Sequence, residues 1–146
     1  MGRRVLLALI AAASIGIGGY VHFKIWQHEY RHAPVREMFV ANFVLSAVVV
    51  VLLLMGMFAS RTLRTAAGLG VLLAAGSLIA FALSRGPGLP TLHGTFKEKG
   101  LETTASYFFT FGSAKTVLVA EGVGLLTCWA LLVDTGARGL RRRSLH

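Results

Sequence analysis

Cysteine, proline and charged side chains are scarce in this chain, and each scarcity removes a class of structure. One cysteine, Cys128, occurs among the 146 residues. A lone thiol forms neither an intrachain disulfide nor a multi-cysteine metal centre; inside an apolar run it reads as a small core hydrophobe. The three prolines, Pro34, Pro87 and Pro90, lie outside the long apolar runs, which are therefore free to be continuous helices. Charged residues make up 14% of the sequence, against roughly a quarter in soluble domains. Catalytic signatures are missing too: there is no G-x-S-x-G elbow, P-loop or dinucleotide fingerprint. Nor do two histidines stand on separate apolar runs, as a membrane haem requires.

Apolar residues, by contrast, make up 55% of the chain. A soluble domain this small cannot hide that much apolar surface in one core, whereas a bilayer absorbs it. Crossing the hydrocarbon takes about 20 apolar residues in helical form, and four stretches meet that length. They run from about Val5 to Trp26, Met38 to Phe58, Ala66 to Leu83 and Lys115 to Val133. Helices satisfy every backbone group in lipid without a partner strand. The expected fold is an all-α membrane protein: one domain over residues 1–146, a four-transmembrane-helix bundle, multi-pass in the cell membrane. Arg3 and Arg4 followed by Ala11-Ala12-Ala13 have some likeness to a secretion signal. Apolar sequence continues to Tyr20, however, so the first stretch is expected to stay as a span.

The net charge of +9 belongs to this membrane context. Basic residues gather at the ends of apolar runs, where they set orientation and meet anionic headgroups, a placement that argues against nucleic acid as a partner. Arg3, Arg4, Arg61, Arg64, Arg138, Arg141, Arg142 and Arg143 fall on one side, with Arg61 and Arg64 assigned to the short second connection. Lys24, Arg31, Arg36, Arg85, Lys97, Lys99 and Lys115 fall on the other. The termini and the shortest loop weigh most in orientation, so both ends of the chain are expected in the cytoplasm.

The outer side then carries a short first connection, Gln27 to Glu37, in which Pro34 limits any helix. It also carries a long outer loop between helices 3 and 4, Arg85 to Ser113. The aromatic cluster Tyr107-Phe108-Phe109-Thr110-Phe111 in that loop suits the headgroup boundary.

Polar side chains inside the spans are the candidates for function, because each costs free energy unless it finds a partner. Glu121 lies roughly 10 Å from the outer end of its helix. Asn42 and Ser77 lie at comparable depth, and His22 slightly shallower. His22 shares a face with Ile15, Gly18 and Gly19, and Glu121 shares one with Gly124, Leu125 and Cys128. Small residues let helix backbones approach, so both faces are expected to point into the bundle. Asn42 and Glu121 could simply be interhelical hydrogen-bond glue. The functional alternative is a carboxyl–imidazole pair at an outward-facing cavity, able to take a proton, a metal ion or a ligand group.

His28-Glu29-Tyr30-Arg31-His32 matches the H-E-x-x-H spelling of zinc hydrolases, in which two imidazoles on one helical face bind metal and the glutamate is the general base. Pro34 follows almost at once, Arg31 puts a cation inside the motif, and no third ligand stands at a recognised spacing. Glu37 and His93 are conceivable third ligands.

The segments His22 and Trp26, Tyr30-Arg31-His32-Ala33-Pro34, Met38-Phe39-Val40-Ala41-Asn42-Phe43 and Ala120-Glu121 together resemble a group of small four-helix integral membrane proteins common in actinobacteria. That group typically has Ile-Pro where this chain has Ala33-Pro34. The resemblance covers most of the chain and implies the four-helix architecture; it brings no established activity. A more distant likeness is to four-helix proteins of the DoxX type, associated with redox processes.

The leading functional expectation is a non-enzymatic membrane protein without a cofactor. It would be an accessory subunit of a larger membrane complex, or a homo-oligomer, or a component binding a ligand or ion through His22, Asn42, Ser77 and Glu121. The rival is a metal-dependent membrane enzyme or metal-binding protein using His28, Glu29 and His32.

Overall fold

The four apolar runs form four helices. The structure, a computed structural model, describes residues 2–31, 33–97 and 114–143, without the side chains of 28, 29, 114 and 137–143. Helix α1 is Gly2–Ile25 and continues as a π-helical turn, Trp26–Tyr30. Helix α2 is Arg36–Gly56 and α3 is Ser60–Arg85. Two short strands follow, β1 at Leu89–Thr91 and β2 at Gly94–Phe96, before α4 at Ala114–Arg143. All four helices are long and apolar enough to cross a membrane.

Their packing is a closed square. α1 packs on α2 and α4, α3 packs on α2 and α4, and the α1–α3 diagonal is weak. Small residues make this possible. Ala8, Ala11 and Ala12 of α1, with Ala66 and Ala67 of α3, are buried at the centre beside Leu53, Leu63, Cys128 and Leu131. Large apolar side chains point outward instead: Leu72, Val119, Leu126 and Trp129 are all well exposed. This inversion suits hydrocarbon surroundings, where close backbone packing rather than water exclusion holds helices together.

The helices overrun the apolar runs. Arg61 and Arg64 lie in the first turns of α3 rather than in a connection, which shrinks to Met57–Ala59. There a Cβ on Gly56 would stand 2.6 Å from Leu63 Cα, so the junction admits only glycine. α4 likewise runs past Val133 to Arg143. Apolar length marks the candidate crossing, but arginine is a good helix former and carries the helix on beyond it. The start of α1 and the end of α4 meet at the same end of the bundle, where Arg4 Nε donates to Asp134 Oδ2 at 2.6 Å.

At the opposite end the chain is less irregular than the sequence reading expects. The first connection begins with the π-helical turn, and Pro34 confines the break to the turns between Tyr30 and Arg36. The long loop opens with an antiparallel hairpin pairing Leu89 with Phe96 and Thr91 with Gly94. Gly88 and Gly94 take positive φ on either side of β1, which glycine adopts without steric cost. The aromatic cluster at 107–111 lies outside the described residues.

Candidate functional site

Two adjacent glycines draw α1 against both of its neighbours. A Cβ on Gly19 would lie 2.5 Å from Ser46 Cβ in α2, and one on Gly18 would lie 3.2 Å from Glu121 Oε1 in α4. One turn further along α1, the His22 imidazole projects into the space this approach leaves. Its Nε2 stands 3.2 Å from Ser77 Oγ of α3 and 3.4 Å from Glu121 Oε1 of α4. Three helices thus meet at one nitrogen. Glu121 is 3% exposed, which makes the imidazole its essential neighbour, since a carboxyl group in such surroundings needs a proton or a partner.

Asn42, on α2, does not touch the imidazole. Its Oδ1 accepts from Ser46 Oγ at 3.3 Å, which leaves the amide nitrogen to donate elsewhere. Asn42 joins His22 and Ser77 around a cavity of about 580 Å³ between α2 and α3. Of the four polar residues picked out from depth and helical face, His22, Ser77 and Glu121 come together, and Asn42 only shares the cavity with His22 and Ser77.

Sequence reasoning missed the aromatic stack above the cluster. The Phe39 ring meets the His22 ring edge-on at 5.3 Å. Tyr30 stacks on Phe39 at 5.0 Å with an interplanar angle of 10°, and Phe96 of the hairpin meets Tyr30 at 5.6 Å. Leu89 and Phe96 also line the cavity, so the hairpin forms part of its wall. No local signal joins residues 30, 39 and 96; only the tertiary fold does.

The cluster contains a serine, a histidine and an acid, but not in the order of a nucleophilic triad. A triad uses opposite ring nitrogens, the serine at one and the acid at the other. Here Ser77 and Glu121 share Nε2, while Nδ1 is buried without a hydrogen-bond partner. An imidazole held this way offers one proton or one lone pair to two competing oxygens.

For the metal motif, His28 and Glu29 belong to the π-helical turn; their side chains, and His32 altogether, lie outside the described residues. Glu37 and His93, the conceivable third ligands, meet each other at 3.3 Å, and Arg36 also bonds to the Glu37 carboxylate. Among the described residues, no three His, Cys, Asp or Glu side chains gather as a metal-binding group.

The chain matches no protein-family model, no curated protein and no solved structure.

Proposed function

We propose that this chain is a non-enzymatic, multi-pass membrane protein that binds a small ligand in the polar cluster between its helices, alone or as the ligand-binding subunit of a larger membrane complex. The observation that carries the reading is the His22 imidazole, joined to Ser77 and Glu121 at the wall of a cavity of about 580 Å³. Cavities of roughly 300–1,000 Å³ with a few convergent polar groups are the usual form of small-molecule sites. The shared nitrogen supports binding over nucleophilic catalysis.

Purification in mild detergent, followed by solvent extraction and mass spectrometry, tests this. The wild type should retain a small molecule near stoichiometry, and His22→Ala and Ser77→Leu should lose it while keeping the helical circular dichroism signal. Identical extracts from all three proteins would remove the proposed site.

In this reading the cavity lies toward the outer face and both termini lie in the cytoplasm. Arg3, Arg4, Arg61 and Arg64 share one end of the bundle, as the positive-inside bias requires of a cytoplasmic side. The native thiol of Cys128 is fully buried and Leu92, at the hairpin tip, is 86% exposed. A membrane-impermeant maleimide should therefore label Leu92→Cys in intact cells and Gly2→Cys only after lysis. The reverse pattern would invert the topology.

A further inference from the structure

We infer that the groove between α2 and α3 takes up a neutral, single-chain lipid amphipath from the hydrocarbon, with a hydroxyl or carbonyl oxygen of its head held by Ser77, Asn42 and His22. This deepens the proposed ligand-binding role and rests on it.

The direction of entry follows from what surrounds the groove. At the hairpin end the groove is walled by Leu89 and Phe96, and the Phe96 ring meets Tyr30. The wall at that end is apolar. Along its side, the groove is rimmed by Leu45 of α2 and Leu72 of α3, which are 51% and 71% exposed. In a membrane these rims face acyl chains, so the side opening leads into lipid.

The head group follows from the charges. No Asp, Glu, Lys or Arg lines the cavity among the described residues. The one acid nearby, Glu121, is already engaged with His22. The Arg85 guanidinium stacks on Phe81 of the cavity wall, but Arg85 lies about two helical turns along α3 from Ser77. A phosphate, carboxylate or ammonium head held at Ser77 would therefore stand apart from a counter-charge, at high cost in this medium. An uncharged oxygen is matched instead: the Asn42 amide nitrogen is left to donate, and the Ser77 hydroxyl can donate or accept.

The tail follows from the walls. From Ser77 to Leu69 the groove runs along eight residues of α3, about 12 Å of helix. It is walled there by Val48, Val49, Leu69, Leu72 and Leu73. That is an apolar channel beginning at the polar cluster and ending toward the membrane interior. Apolar walls of this length suit an aliphatic chain, and they hold nothing for a second polar group to bind.

The test uses the full chain in phosphatidylcholine nanodiscs with three photoreactive probes. Each has the same sixteen-carbon chain with a diazirine at mid-chain, ending in an alcohol, a carboxylate or a trimethylammonium group. Crosslinked peptides are mapped by mass spectrometry. The alcohol should mark α2 over 38–49 and α3 over 69–77, at least about tenfold more than either charged probe, because an unpaired charge is costlier to bury than a hydrogen-bonded hydroxyl. Ser77→Val and Asn42→Leu should each erase that preference. The comparison of heads on the wild type needs no variant, so it stands even if a variant folds poorly. Equal capture of all three probes, or capture spread evenly onto the outer face of α4 at Val119 and Leu126, would overturn the inference. A carboxylate preference lost in His22→Ala would overturn the ligand class and leave the binding site standing. Indifference of every probe to His22, Asn42 and Ser77 would end both.

Discussion

Replacing Gly19 with valine should collapse the stability of the bundle. The first added atom, Cβ, would stand 2.5 Å from Ser46 Cβ and 2.9 Å from its Oγ. Ser46 is buried in α2, so it cannot swing aside, and the helices must separate. Overpacking of this kind costs about 1–3 kcal/mol where a core can adjust. Here two further methyl groups follow the first into a backbone contact, and α1 loses its seat on α2. An apparent unfolding temperature in detergent lowered by about 10 °C or more is expected, since 1 kcal/mol moves a domain of this size by roughly 3–5 °C. Gly18→Ala is the internal comparison. Its Cβ would sit 3.2 Å from the end of the Glu121 side chain, which can shift by a few tenths of an ångström, so a much smaller loss is expected. Equal effects at the two positions would show that the close α1–α2 approach does not hold the bundle together.

The second large effect is expected from dividing the carboxyl–imidazole pair. The side chains of His22 and Glu121 are 13% and 4% exposed. His22→Leu leaves the Glu121 carboxyl without the imidazole, and breaking a buried pair from one side costs about 3–5 kcal/mol. Replacing both members with apolar residues of similar size is often neutral, so adding Glu121→Leu to His22→Leu should recover most of the loss. Glu121→Gln should cost little, because the amide carbonyl can still accept from Nε2–H while the charge is gone. The measurement is a double-mutant cycle on unfolding in detergent micelles. Additive losses in the double variant would mean that the two residues act independently and that the 3.4 Å approach carries no coupling.

Much of this site is legible in the sequence. His22, Ser77 and Glu121 lie at similar depth in separate spans, and the small residues beside His22 and Glu121 mark faces that must look inward. Helical periodicity and the cost of a polar group in lipid are enough to bring such residues together. The same reasoning points to Asn42, yet it binds Ser46 on its own helix and only shares the cavity with the imidazole. Its partner lies one turn away, and depth alone does not distinguish a local bond from one across the bundle.

The misses have a different origin. Helix ends ran past the apolar runs because lipid solubility and helix formation end at different residues: Arg61, Arg64 and the arginines near residue 140 are poor in hydrocarbon but good in a helix. The hairpin at Leu89–Phe96 is only two three-residue strands, too short for alternation to stand out from loop sequence. It gains its place from contacts with Tyr30 and with the groove. A reading of neighbours along the chain cannot anticipate those contacts.

The wide turn at Trp26–Tyr30 has one more consequence. A π-helical turn behaves as an α-helix carrying one surplus residue, and each residue of an ordinary helix turns the chain by about 100°. Restoring regular winding by deleting a single residue there would rotate Tyr30 about a quarter-turn or more away from Phe39 and Phe96. The aromatic stack of Tyr30, Phe39 and Phe96 beside the cavity is thus kept in phase by one extra residue at the end of the first helix.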